Sequence, residues 1–181
     1  MANSYQEVLQ FWFEEIEPRM WWVSDREFDD LVRNRFQSTH RQAALGELFH
    51  WRKEPKGRLA EIVVLDQFSR NIYRNTPLAF AQDSVALVLA QEAIAAGAHD
   101  AMSPIERSFL YLPFMHSESR RIHEWAESLY RANGLENNYA FELKHKAIID
   151  RFGRYPHRNG ILGRTSSPEE VEFLKQPGSS F

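Results

Sequence analysis

Apolar residues recur along the chain at intervals of three and four positions, the spacing that places them on one face of an α-helix. In the second such stretch, the stripe consists of Phe28, Leu31, Val32 and Phe36. No stretch shows the sustained alternation of apolar and polar residues that is typical of β-strands. The pattern therefore predicts an all-α fold.

Helix boundaries follow from capping residues, prolines and glycines, which lie between the apolar stripes. A serine followed three positions later by glutamate is a capping box, and it predicts helix starts at Ser24, Ser103 and Ser167. Pro113 is expected to kink or end the fifth helix, because proline lacks a backbone donor. About eight helices are predicted, over approximately residues 4–15, 25–39, 58–74, 78–96, 104–113, 117–132, 136–152 and a short stretch from 168.

Most of these helices are separated by short turns, which favour antiparallel neighbours stacked as helical hairpins. The helix and loop lengths are compatible with a solenoid-like array, but no clean repeat of about 34 residues identifies tetratricopeptide repeats from periodicity alone. The length of 181 residues suits one α-helical domain over 1–181.

The composition narrows the function mainly by exclusion. The chain has 22 basic and 25 acidic residues, and its net charge of −3 argues against binding nucleic acid or an anionic membrane surface. The absence of cysteine excludes thiol catalysis and cysteine-ligated zinc. No uninterrupted apolar run approaches the roughly 20 residues of a membrane span, and no signal peptide is visible. We therefore expect a cytoplasmic protein with neither nucleic acid nor membrane as partner, and the oligomeric state stays open.

The spacing of possible metal ligands gives little support for a metal site. Glu47 with His50 and Glu142 with His145 match the Glu-x-x-His unit of di-iron helix bundles. Eighteen glutamates and seven histidines in 181 residues give roughly 0.7 such pairs by chance, so two pairs are unremarkable. Phosphate-binding glycine loops are also missing from the sequence. The prediction is no metal and no cofactor.

Polar side chains interrupt the third predicted helix, which is otherwise apolar on nearly all sides. Asp66 and Arg70 lie one turn apart, with Gln67 and Asn71 beside them. Charges in a buried place are costly unless they are paired. The four residues therefore indicate either a buried ion pair that fixes helix packing or part of a binding site.

Histidines supply a second group of candidates. His116 and Glu118 follow the Pro113 break, which puts both near an opening between helices. A histidine near its titration point can act as general acid or base. Ser117 and Glu118 also suit a helix N-terminus, but that role leaves His116 unexplained. His145 lies on the apolar face of the seventh predicted helix, where a packing role is the common alternative.

Residues 151–164 form the most basic segment of the chain, with four arginines, one histidine and no acidic residue. The segment follows a helix end and contains glycine and proline, so its backbone amides are partly free. Guanidinium groups together with free amides favour a phosphate or carboxylate site, although a solvated loop is the alternative. The candidate ligand-binding residues in this segment are Arg151, Arg154, Arg158 and Asn159, and His157 is a catalytic candidate.

Four segments, taken in order, resemble a known family. They are Phe11-Trp12-Phe13, Asp66 to Asn71, Tyr111 to Glu118 and Arg154 to Asn159. The family is the mostly bacterial one catalogued as domain of unknown function 924, and the likeness covers essentially the whole chain. The resemblance implies an all-helical, tetratricopeptide-like fold and brings no established activity, substrate or cofactor.

Together, the candidates predict a concave polar pocket that binds a small anionic ligand and supports acid/base or hydrolytic chemistry. The anion would be held by Arg70, Arg151, Arg154 and Arg158, with Gln67, Asn71, His145 and Asn159 as further ligand-binding residues. In the same hypothesis His116 or His157 is the acid/base, Glu118 is its orienting partner, and Asp66 orients Arg70 or a histidine.

Two other interpretations stay open at this stage, and with them the question of whether the chain is an enzyme. One is a tetratricopeptide-like module that binds a protein or the carboxylate of a peptide without catalysis. The other is a buried polar network that only fixes the packing of the helices.

Overall fold

The computed structural model of the protein describes residues 3–180. All regular secondary structure in this range is helical. Because this part of the chain contains no strand, the all-α prediction is confirmed. The stacking of the helices as tetratricopeptide-like hairpins stays a prediction. The α-helices are α1 (Tyr5–Gln10), α2 (Arg26–Ala44), α3 (Pro55–Val63), α4 (Ser69–Ile72), α5 (Asp83–Ala95), α6 (Pro104–Met115), α7 (Arg120–Asn133), α8 (Glu136–Phe152) and α9 (Pro168–Leu174).

Two π-helical turns extend these helices. Phe11–Glu15 continues α1, and Val64–Phe68 joins α3 to α4, so that the third predicted helix is one rod with a widened turn in its middle. Such turns are rare in proteins, and those that occur often lie at functional sites. Short 3₁₀ helices cover Pro18–Trp22, Phe49–Lys53, Pro77–Ala79, Ala98–Ala101 and Pro156–Arg158.

Local sequence explains several helix ends. In two capping boxes, the Ser103 hydroxyl accepts from the Glu106 backbone N–H, and Ser167 does the same for Glu170. α8 has the predicted bounds and is followed by Gly153, whose φ of 71° lies in the left-handed region that favours glycine.

Other predicted boundaries are wrong. The N-cap of α2 is Asp25 and not Ser24, because the Asp25 carboxylate accepts from the Phe28 backbone N–H at 2.8 Å. α6 continues past Pro113, since a proline two residues before the helix end removes one backbone bond without preventing the last turn. α7 begins at Arg120, later than the predicted 117, and the fourth predicted helix is divided into a 3₁₀ turn and α5.

The core behind the π-turn at Val64–Phe68 consists largely of aromatic side chains. Phe68 lies 4.9 Å from Phe36 and 5.5 Å from Trp12, measured between ring centroids, and all three are fully buried. Trp12 in turn meets Phe109 of α6 edge to face at 5.8 Å. This packing holds α1, α2, α6 and the π-turn together and gives the polar residues of the turn a rigid support.

One helical stretch, Pro77–Ala95, could cross a membrane by length and composition alone, with 19 residues and a mean hydropathy of 1.3. Polar residues such as Asp83 and Glu92 interrupt its apolar run, so the sequence pattern did not predict it. A single stretch of this kind does not distinguish a membrane helix from a helix of a water-soluble domain. Here it includes Asp83, whose carboxylate is bound by two arginines of other elements.

Candidate functional site

A cavity of about 300 Å³ lies where α5, the C-terminal end of α6 and the loop after α8 meet. Charged and polar side chains line one part of it and apolar side chains line the rest. The polar lining is Asp83, Ser84, His116, Ser117, Glu118 and Arg158, and the apolar lining is Pro77, Phe80, Ala81, Leu87, Pro113 and Leu162.

At one side of the cavity, His116 caps the C-terminus of α6 and contacts a buried carboxylate. Its Nδ1 lies 2.8 Å from Oδ1 of Asp66, which is 1% exposed. Gln67 donates to the other carboxylate oxygen at 2.6 Å, and Nη1 of Arg70 lies 3.3 Å from Oδ1. Burial opposes ionisation of Asp66, but the nearby Arg70 and His116 outweigh it and hold its pKa well below the usual range. Asp66 is therefore a carboxylate that accepts the Nδ1–H of His116.

The imidazole of His116 is neutral near pH 7. Burial and the positive charge of Arg70 lower its pKa below the ordinary value, and the attraction of Asp66 offsets them only in part. With the proton on Nδ1, the ring presents the lone pair of Nε2, and this side chain lines the cavity. The arrangement is that of a general base whose tautomer is fixed by a carboxylate.

Two arginines converge on Asp83 at the N-terminus of α5. Arg70 makes a bidentate pair with it, at 2.9 and 3.1 Å, and Nη1 of Arg158 lies 3.2 Å from Oδ2. The Arg158 guanidinium is held between the rings of Phe80 and Tyr155, 4.7 and 4.6 Å from their centroids. This stacking fixes the plane of the guanidinium in the cavity wall.

Glu118 lines the cavity but is not the partner that orients His116; that partner is Asp66. The Glu118 carboxylate accepts the backbone N–H of Tyr155 at 2.7 Å and two donors of Arg164 at 2.6 and 2.9 Å. Its half-buried position opposes ionisation, but the Arg164 guanidinium lowers its pKa overall. Glu118 thus fastens the loop after α8 to the end of α6.

Three predicted ligand residues of the basic segment serve the loop itself. Arg151 is exposed and pairs with Glu169, whereas Arg154 makes a bidentate pair with Glu170. Asn159 is fully buried, where it accepts from Arg164 and donates to Ser166. The acidic partners come from α9, 16 to 18 residues further along the chain.

Asn71 points away from the cavity, since its amide donates to Asp29 of α2 at 2.9 Å. His145 and His157 pack around Tyr155, with ring centroids 5.8 and 5.5 Å from that of the tyrosine. Burial lowers the pKa of His145 to about 3 and that of His157 to about 4. Both are therefore neutral at pH 7, and neither is among the residues that line the cavity.

The structure thus brings Asp66, Gln67, Arg70, His116, Glu118 and Arg158 to one region. Sequence reasoning missed Asp83 and the role of Tyr155. Asp83 carried a usable signal, because it is the one charged residue between Arg74 and Glu92. Among the described residues, no group of three or more histidine, aspartate or glutamate side chains is arranged to hold a metal ion.

Comparison with known proteins agrees with the resemblance seen in the sequence. A family model described as bacterial protein of unknown function (DUF924) matches residues 8–178. None of the curated proteins matches the chain. A solved structure, that of the protein of unknown function ATU0120 from Agrobacterium tumefaciens, is 37% identical and superposes with a TM-score of 0.91, over 96% of this chain and 97% of that one. The chain belongs to the DUF924 family of bacterial proteins.

Proposed function

We propose that the cavity binds a small organic anion and that His116 acts on it as a general base. One observation carries this proposal: a buried carboxylate–imidazole pair opens onto a cavity whose wall also contains an immobilised guanidinium.

The chemistry that the geometry supports is proton transfer at Nε2 of His116. The neutral imidazole removes a proton from a bound water, the water oxygen attacks an ester or amide carbon of the ligand, and the imidazolium returns the proton to the departing oxygen or nitrogen. Asp66 stabilises the imidazolium, and Arg70 keeps Asp66 ionised. A base of this kind contributes roughly 10²- to 10⁴-fold to a rate.

Arg158 and the apolar lining indicate the class of ligand. Within the described part of the chain, Arg158 donates to Asp83 through Nη1, which leaves Nη2 for the carboxylate or phosphate of a ligand. The rings and aliphatic side chains of Phe80, Leu87 and Leu162 suit an apolar portion of the same molecule. A cavity of about 300 Å³ is at the small end of ligand sites, so we expect a small carboxylic or phosphoric acid derivative.

Benzoate, a carboxylate with a flat apolar ring, is a suitable first probe. We expect benzoate to raise the melting temperature of the wild-type protein and of Arg151→Gln, and to lose this effect in Arg158→Gln. The two variants make the same change in the same segment, but Arg151 is exposed and pairs with Glu169 outside the cavity. Arg158→Gln leaves Asp83 paired with Arg70, so the variant is expected to fold.

Catalysis is tested with 4-nitrophenyl hemisuccinate, an ester that carries a free carboxylate. We expect His116→Gln to lower kcat at least 10²-fold. On acidification we expect the wild-type rate to fall only below the ordinary histidine pKa of about 6.5, because burial and Arg70 lower the pKa of His116 and protonation then removes the base. Binding of carboxylates that survives in Arg158→Gln would refute the proposed site. Stabilisation by peptides with a free C-terminal carboxylate, with no turnover of any ester, would instead favour a peptide-binding module.

A further inference from the structure

A buried group of side chains connects α7, α8 and the loop after α8 behind the cavity. Nδ1 of His123 on α7 lies 2.7 Å from Oε1 of Glu142 on α8, and both side chains are fully buried. Nε2 of the same histidine lies 2.8 Å from the backbone carbonyl oxygen of Ser117. A carbonyl oxygen only accepts hydrogen bonds, so Nε2 of His123 carries a hydrogen.

Tyr155 extends this group towards the same stretch of backbone. Its hydroxyl donates to the carbonyl of Met115, and its oxygen lies 3.2 Å from Nε2 of His123, whose N–H it shares with Ser117. The carbonyls of Met115 and Ser117 are the two that flank His116 in the chain. The other end of Tyr155, its ring, supports the guanidinium of Arg158.

The protonation of the group follows from its hydrogen bonds. Because Nε2 of His123 is a donor, one further proton is shared between Nδ1 and the Glu142 carboxylate. Burial raises the pKa of that carboxyl despite the adjacent His123. Its second oxygen is buried without a partner in the described residues, as suits a carboxyl that keeps a proton. Glu142 therefore fixes which nitrogen of His123 faces the Ser117 carbonyl.

From these contacts we infer that Glu142, His123 and Tyr155 are positioning residues, which orient His116 through its two neighbouring carbonyls and Arg158 through the tyrosine ring. The inference rests on the proposed function. It assigns the three side chains no contact with a ligand. They act by holding the base and the anion-binding group at a fixed separation.

A matched pair of tyrosines tests this role. Tyr155 and Tyr130 are both fully buried, and the hydroxyl of each donates to a backbone carbonyl, that of Met115 for the former and that of Ser108 for the latter. Tyr155→Phe and Tyr130→Phe should therefore lose similar stability. Only Tyr155→Phe is expected to change the site.

The main readout is the imidazole of His116 in the free protein, followed by ¹⁵N NMR as the pH is varied. We expect Tyr155→Phe to shift the pKa of His116 by at least half a unit and to weaken benzoate binding at least threefold. In Tyr130→Phe we expect both quantities to stay at the wild-type values. Equal His116 spectra in the two variants would overturn the inference and leave Tyr155 a packing residue.

Glu142 provides a rescue experiment. In Glu142→Gln, the amide can donate to Nδ1 of His123 and keep the hydrogen on Nε2, so we expect wild-type His116 spectra. Glu142→Leu removes that donor, and we expect the same change as in Tyr155→Phe. Should Glu142→Leu fail to fold, the tyrosine pair still decides the question. If benzoate does not bind the wild-type protein, the proposed function fails, whereas the His116 spectra still test the positioning of that residue.

Discussion

The variant Asp66→Asn tests whether the Asp66 carboxylate serves the cavity or only the packing of the helices. The side chain is almost completely buried and binds His116, Gln67 and Arg70. Asparagine has nearly the same shape, so the variant removes the charge and leaves the space filled.

The expected loss of stability is moderate, because Arg70 is not left unpaired. Its bidentate contact with Asp83 persists, so the cost is that of hydrogen bonds to a charged group, about 1.5–3 kcal/mol. A buried charge left without any partner would cost about 3–5 kcal/mol. A domain of this size loses roughly 2–4 °C in melting temperature per kcal/mol, so the expected decrease is roughly 3–12 °C.

The effect on His116 has a definite sign. Asp66 raises the pKa of His116, whereas burial and Arg70 lower it. Without the carboxylate, the lowering causes remain, so the pKa of His116 should fall further below 6.5. NMR titration of the histidines measures this change, and urea unfolding measures the stability.

Glu61→Gln is the matched control. Glu61 is also about 1% exposed, and Arg52 binds it through two hydrogen bonds of 2.7 Å away from the cavity. We expect this variant to lose at least as much stability and to keep the His116 titration and benzoate binding of the wild-type protein. If Asp66→Asn likewise changed stability alone, the polar network would be a packing device and the proposed function would be wrong.

Two further predictions concern charge and pH. Asp83→Asn deprives Arg158 of its carboxylate, so inorganic phosphate should raise the melting temperature of this variant more than that of the wild-type protein; equal shifts would contradict the assignment of Arg158 as the anion-binding group. Burial lowers the pKa of His40 to about 4, that of His145 to about 3 and that of His157 to about 4, whereas the unfolded chain protonates histidine near pH 6.5. The unfolded state then binds more protons, so the stability that these histidines contribute should be fully present above about pH 6.5. On acidification below this value, the free energy of unfolding should decrease by about 1.4 kcal/mol per pH unit for each histidine. Urea midpoints that are constant from pH 7 to pH 5 would contradict this.

Much of the fold could be predicted from the sequence because helix periodicity and capping are local. The Ser103 capping box and the bounds of α8 depend on residues within a few positions of each other. The partners within the site are not local. Arg158 and Asp83 are 75 residues apart, so their contact depends on the packing of α5 against the loop after α8. For the same reason, Arg154 looked available for an anion although Glu170 of α9 neutralises it.

The π-turn at Val64–Phe68 shows why the site itself could not be built from a helical wheel. A helical wheel assumes 3.6 residues per turn throughout. It therefore assigns the wrong angular position to every residue after the widened turn, relative to those before it. Two side chains donate hydrogen bonds to backbone carbonyls of this turn. Arg70 donates to the Asp66 carbonyl at 2.8 Å, and the Ser69 hydroxyl donates to the Leu65 carbonyl. Polar residues that looked anomalous in an apolar helix thus have two uses. Ser69 and Arg70 donate hydrogen bonds to carbonyl oxygens of the widened turn. Because these carbonyls have partners, the turn can present the Asp66 carboxylate to His116.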